Sequence, residues 1–189
     1  WEGCVRDDLV RDILDEVIAD YYIATDNAQF EAELRNPYYT DILILGDCRP
    51  LGCKASAELM EKVNSGTGIV SSRWFQHTLE LNASPTISSI FGVRLDGLPL
   101  LKDYSLSVLD SPVSEAGTLV PFGFAQRVAA EDDAVVAGWL EEEAEEFCTP
   151  WGCWTIKPAT STPAIVLDQY GEARTVYFSF DLGLNLDND

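Results

Sequence analysis

Apolar positions at the start of the chain recur at helical spacing: Val5, Leu9, Val10, Ile13, Leu14 and Val17. Asp7 and Asp8 fall in the first turn, where the helix dipole favours acid, so an amphipathic helix is predicted. A short β-prone run, YYIAT (21–25), follows. Asp26 with Gln29 three residues on imitates a capping box and opens a predicted helix across Phe30 and Leu34, which ends before Asn36-Pro37. DILILGD (41–47) is a near-continuous apolar run of the kind buried on both faces of a parallel sheet. Ser56–Val63 reads as a helix stopped by Asn64-Ser65-Gly66, and GIVSS (68–72) as a further buried strand.

This alternation of helix and strand with short connections predicts an α/β fold, a parallel sheet flanked by helices in the flavodoxin-like manner. From about residue 94 the rhythm changes. YSLSVL (104–109), LVPFGFAQRV (119–128) and AVVAGWL (134–140) read as strands without long helices between them. They predict an antiparallel β extension or insertion over about 94–162 of a single domain spanning 1–189. PAIVLDQYG (163–171) and RTVYFSFDLG (174–183), around a turn at Gly171-Glu172, predict a hairpin at the sheet's edge.

Charge narrows the partners. Asp and Glu number 32 against 12 Lys and Arg, a net charge of -20. A phosphate backbone is repelled, so no nucleic-acid partner is expected. A surface this acidic, with only Lys54, Lys62, Lys102 and Lys157 as lysines, suits solubility in a salty or divalent-cation-rich medium. No apolar run approaches the roughly 18 residues that cross a bilayer, so direct membrane insertion is not expected.

Four of the five cysteines lie in two copies of one pattern, C-x-P-x-G-C: Cys48 and Cys53 in CRPLGC, Cys148 and Cys153 in CTPWGC. Three chemistries compete for them. A nucleophile at Cys48 needs a base to form the thiolate, and Asp47 beside it works against ionisation. A Cys4 zinc site needs the two loops to meet in space; zinc ligands usually stand two to four residues apart, so the four residues here make the count possible and the local fit imperfect. Disulfides need only close Cα atoms, which a Pro-Gly turn provides, so Cys48 with Cys53 and Cys148 with Cys153 is the reading that fits best. It implies an oxidising compartment. Cross-pairing between the loops remains open, as does the role of Cys4.

Several phrases resemble the class I glutamine amidotransferase-like domains, a flavodoxin-like family with non-catalytic members inside bacterial surface or secreted proteins. They are Asp41–Gly46, Ser56–Val70, Ile90-Phe91-Gly92-Val93 and the closing Tyr170–Asp181. Catalytic members carry a cysteine on a G-x-C-x-G elbow with a late histidine and glutamate. Here Gly46-Asp47-Cys48-Arg49-Pro50 has proline where the second glycine belongs. After Gly68-Ile69-Val70, where the resemblance places the elbow, stand Ser71, Ser72 and Arg73. The only histidine, His77, follows soon after, beside Trp74 and Phe75, and reads as a packed residue. The resemblance therefore implies a member without the catalytic constellation.

No cofactor is expected. The acidic run Glu141, Glu142, Glu143, Glu145 and Glu146 reads as a solvated face, because it lacks the spacing of a calcium loop. Asn82-Ala83-Ser84 fits a glycosylation sequon. Phe147, Trp151 and Trp154 cluster around the second cysteine loop and are the candidate partner-binding residues, rigid aromatics being the side chains that anchor interfaces. The sequence thus points to a non-catalytic structural or interaction module of an extracytoplasmic or cell-surface protein, meeting a protein partner or copies of itself. A cysteine-dependent hydrolase or amidotransferase-like enzyme using Cys48 and a zinc-stabilised domain are the alternatives.

Overall fold

The computed structural model describes residues 12, 14–17, 20–24, 26–44, 53–72, 89–96, 104–110, 116–119, 125–142, 145–157 and 160–180. Residues 12 and 14–17 are helical, within the first predicted helix, whereas 20–24 are irregular and the described part of YYIAT forms no strand. Helix α1 (Asn27–Leu34) starts where the sequence places its cap: the Asp26 carboxylate accepts the Gln29 N–H at 2.8 Å. Helix α2 (Cys53–Asn64) begins three residues earlier than the apolar periodicity indicates. It closes on Gly66 at φ +94°, with Gly66 N–H donating to Val63 C=O and Thr67 N–H to Lys62 C=O, a pair of bonds that requires a left-handed residue. Arg35 pairs with Glu58, and Lys62 Nζ donates to the Asn36 carbonyl at 2.8 Å, tying the end of α1 to α2.

One sheet of seven strands organises the molecule. The strands are β1 (Asp41–Ile44), β2 (Gly68–Ser72), β4 (Tyr104–Val108), β5 (Gly117–Leu119), β7 (Val135–Glu142), β10 (Thr160–Tyr170) and β11 (Ala173–Phe178). Their order is β1-β2-β11-β10-β7-β4-β5. The β1–β2 and β2–β11 pairs are parallel and the four pairs beyond β11 are antiparallel, so the fold is α/β with an antiparallel extension. Strands β3 (Val93–Leu95) and β6 (Val128–Ala130) pair antiparallel in a second sheet. Strands β8 (Glu145–Thr149) and β9 (Gly152–Lys157) form a third.

Three expectations change here. The hairpin β10–β11 turns at Gly171, as its sequence indicates, but lies in the middle of the sheet: β2 adds to one side and β7 to the other. DILI is not buried on both faces. Among the described residues β1 pairs only with β2, and Asp41 and Leu43 alternate outward, Leu43 being 44% exposed. LVPFGFAQRV is not one strand, since Leu119 closes β5 and Val128 opens β6, with an isolated bridge from Ala125 to Phe180 between them.

Burial follows the two halves. Leu34, Leu59 and Val63 from the helices pack with Ile69, Phe91, Val166 and Tyr177, and the Phe91 and Tyr177 rings lie 5.8 Å apart. A second cluster joins Tyr104, Leu106, Leu140, Ile165 and Phe180. Thr162 links the sheets by replacing a ladder rung: its hydroxyl donates to Val128 C=O at 2.8 Å and accepts Val128 N–H at 3.1 Å.

Candidate functional site

The β8–β9 ribbon interrupts the β7–β10 pair. β7 ends at Glu142 opposite Thr160, the first residue of β10, and the ribbon lies between them in the chain. Its register places Glu145 opposite Lys157, Phe147 opposite Trp154, Cys148 opposite Cys153 and Thr149 opposite Gly152. Pro150 and Trp151 are left as the two turn residues. Gly152 sits at φ +146°, a backbone region that glycine occupies without penalty. The Trp151 N–H donates to Thr149 Oγ1 at 3.2 Å, and that hydroxyl donates to the Gly152 carbonyl at 3.4 Å.

Directly opposed strand residues are close enough to be bridged, and Cys148 and Cys153 form a disulfide with Cα atoms 4.0 Å apart. Beyond it the tip is open to solvent. Trp151 is 92% exposed and Trp154 53% exposed. Side chains at successive strand positions alternate between faces, so Trp154 lies on the face opposite the disulfide, and the backbone register sets Phe147 across from it. Of the first cysteine motif, Cys53 is the opening residue of α2, while Cys48 lies outside the described residues, as do His77, Cys4 and Asn82. Among the described residues no group of three or more His, Cys, Asp or Glu is arranged to hold a metal ion. Likewise no helix there is long and apolar enough to cross a membrane.

One member of the acidic run departs from a solvated face. Glu142 is only 7% exposed. Its carboxylate accepts from the Arg127 guanidinium and from Thr160 Oγ1 at 2.9 Å, and Arg127 Nη1 approaches Thr160 Oγ1 at 3.3 Å. The strand end, the strand start and the residue before β6 are thereby joined at the base of the ribbon. The sequence held half of the signal, since Glu142 continues the alternation of an apolar strand. Its partner Arg127, 15 residues away in an unrelated loop, is set only by the fold.

Beside this base lies a groove of about 310 Å³ lined by Val128, Val136, Trp139 and Pro163, with Arg127 and the exposed Asp96 and Ser161 among its polar groups. A second depression, of about 580 Å³, is acidic, with Glu131, Asp132, Asp133 and Asp168 around Arg94. Sequence reasoning identified neither groove.

No protein-family model matches the sequence, and no curated protein matches it. Solved structures do share its fold. A putative ThuA-like protein from Bacteroides uniformis superposes with a TM-score of 0.55 over 95% of this chain and 78% of its own, at 13% identity. A cytoplasmic protein from Salmonella typhimurium LT2 gives a TM-score of 0.55 over 96% of this chain and 77% of its own, at 11% identity. A further Salmonella typhimurium cytoplasmic protein gives 0.48 at 14% identity over 85% of this chain, which spans 65% of that protein's length. The chain spans 19% of a GH42 β-galactosidase that it also matches. ThuA-like proteins have the class I glutamine amidotransferase-like fold, and at these identities the likeness is one of fold: this chain is built like that class.

Proposed function

We propose that the chain is a non-catalytic interaction module of an extracytoplasmic or cell-surface protein, and that the β8–β9 ribbon is its contact element. The observation that carries the reading is Trp151, 92% exposed at the tip of a hairpin closed by a disulfide. An indole held in water forgoes the burial that makes aromatics the anchors of interfaces, where truncating one commonly costs about 2 kcal/mol or more. The crosslink fixes the tip in advance of contact, so little ordering entropy is spent on binding. A disulfide between two exposed cysteines persists in an oxidising compartment, which supports a place outside the cytoplasm.

The test is a photo-crosslinking amino acid at position 151, with the exposed Glu172 as control position, in cells that produce the protein. The reading expects a discrete adduct, another protein or a second copy, from 151 and not from 172, reduced when Cys148 and Cys153 are both serine. Equal, diffuse crosslinking from both positions overturns it.

A further inference from the structure

A second aromatic face meets solvent far along the chain from the ribbon. Tyr22 is 48% exposed and Tyr38 64% exposed, in a stretch, 12–44, rich in carboxylates. Arg35 is the only basic residue of that stretch, and Glu58 holds its guanidinium. The rings are fixed from below. Asn36 Oδ1 accepts the Tyr38 N–H at 3.0 Å, Asn36 Nδ2 donates to Glu33 Oε2 at 3.0 Å, and Pro37 between them has its φ set by its ring. The Tyr38 phenol donates to the Asp20 carboxylate, and the Tyr21 phenol to Asp15 at 2.6 Å. Tyr38 and Tyr39 meet edge to face, ring centroids 5.3 Å apart. The Tyr39 phenol is raised above its ordinary pKa by desolvation and then by the charges of Glu33, Asp20 and the Tyr22 phenol, so these groups gather around one ring.

What this face offers depends on which hydrogens are already engaged. The Tyr21 and Tyr38 O–H groups both go to carboxylates, so the surface presents ring faces and carboxylate lone pairs. A carboxylate that accepts one bond keeps further acceptor sites. A ring face is the negative part of an aromatic quadrupole. Both features attract a cation that carries N–H donors and repel an anion. Guanidinium fits better than ammonium, because its plane stacks on a ring while its fork of N–H groups reaches a neighbouring carboxylate. Tyr38 and Asp20, joined by their hydrogen bond, stand in that relation. The nearby Lys62 Nζ is engaged by the Asn36 carbonyl at 2.8 Å.

We propose that this face docks an arginine-bearing basic segment of a partner protein, with guanidinium groups stacked on Tyr22 and Tyr38 and paired with Asp20. Charge complementarity selects the occupant: the chain carries -20, and the acceptors of this face answer to donors that only a cation supplies in number. A segment is required rather than one free side chain, because the rings come from two stretches, 20–22 and 38–39, and one exposed contact is worth only roughly two- to fivefold in affinity. The acidic surface draws any basic chain near, and the rings decide which is retained. A turn held in place before contact lowers the ordering cost of binding. The surface is separate from the β8–β9 ribbon, so either contact stands without the other.

The experiment is a fluorescence-anisotropy titration of the full chain against a labelled, end-capped Gly-Arg repeat peptide and its Gly-Lys counterpart of equal charge. It is run in about 0.15 M NaCl, which screens undirected attraction beyond roughly 8 Å. Wild type binds the arginine peptide at least about threefold more tightly than the lysine peptide. Tyr22→Ser/Tyr38→Ser leaves the net charge at -20, weakens the arginine peptide about fivefold or more and erases the preference. Val135→Ser, which removes a similarly exposed apolar side chain from β7, binds as wild type does. Equal affinity of wild type for the two peptides overturns the proposal, because the surface then attracts charge without reading it, and this comparison depends on no variant. Absence of binding overturns it as well. So does a preference that survives in the double tyrosine variant, or an equal loss in Val135→Ser, since recognition then lies elsewhere.

Discussion

Loss of the Arg127 side chain should cost the fold measurably, because it leaves a buried carboxylate without its cation. The guanidinium neutralises Glu142, whose carboxylate sits in a side chain 7% exposed at the junction of β7, β10 and the ribbon. Removing one member of a fully buried pair costs about 3–5 kcal/mol, because the remaining charge is stranded in low dielectric. Here the Arg127 side chain is 24% exposed, so water and salt recover part of that penalty. About 2–3 kcal/mol is expected for Arg127→Met. In a chain of this size that lowers the thermal midpoint by roughly 4–12 °C. Urea denaturation followed by circular dichroism at pH 7 measures it. The companion Arg127→Met/Glu142→Leu removes both charges and should return to within about 1 kcal/mol of wild type, since a buried ion pair gains little over an apolar pair. A single variant within about 0.5 kcal/mol of wild type, or a double variant no better than the single, would refute the view that Glu142 is a buried charge needing its cation.

Gly92 and Gly171 both hold positive φ, +58° and +61°, but differ in space. A Cβ at Gly92 would meet Ala134 Cβ and Asp168 Oδ2 at 2.7 Å, while one at Gly171 meets nothing within 4 Å. Gly171→Ala should therefore cost about 1 kcal/mol from conformation alone, and Gly92→Ala about 2–3 kcal/mol, read by urea titration. The Tyr38 phenol is raised above its ordinary pKa by its hydrogen bond to Asp20 and by that carboxylate's charge. The unfolded phenol loses its proton first, so this contribution to stability is complete below about pH 10 and is lost as pH rises through the folded value. Thermal midpoints between pH 9 and 11 should fall less steeply in Tyr38→Phe than in wild type; identical slopes would contradict the assignment. Reducing the Cys148–Cys153 bridge opens a loop with only four residues between its cysteines, so the global stability lost is about 2 kcal/mol or less. The Trp151 emission should change more than the unfolding midpoint does.

Local signals in the sequence carried the local structure. Asp26 with Gln29 marked the start of α1, Gly66 the end of α2, and Gly171 the turn of β10–β11, because caps and turns are settled by neighbours along the chain. Position within the sheet was not written locally. An apolar run such as DILI has the same pattern whether its strand is central or at the margin, and only the pairing of β2 with β11 decides that β1 is left outermost among the described strands. The β10–β11 hairpin reads as an edge hairpin for the converse reason. Nothing in its own residues announces that β7, β4 and β5 will add beyond β10. The candidate site divides the same way. CTPWGC and its aromatics were legible because cysteine spacing and a Pro-Gly turn are short-range features. The Arg127–Glu142 pair and the Trp139 groove join β6, β7 and β10, which meet only after the chain has folded.

The account turns on a covalently closed hairpin presenting Trp151. Its most direct test is peptide mapping of freshly isolated protein whose free thiols are blocked before digestion, with chymotryptic cleavage after Trp151. The predicted result is two peptides, one with Cys148 and one with Cys153, joined until reductant is added. Cys148 and Cys153 both recovered with the blocking group attached would contradict the stapled contact element, and with it the extracytoplasmic reading.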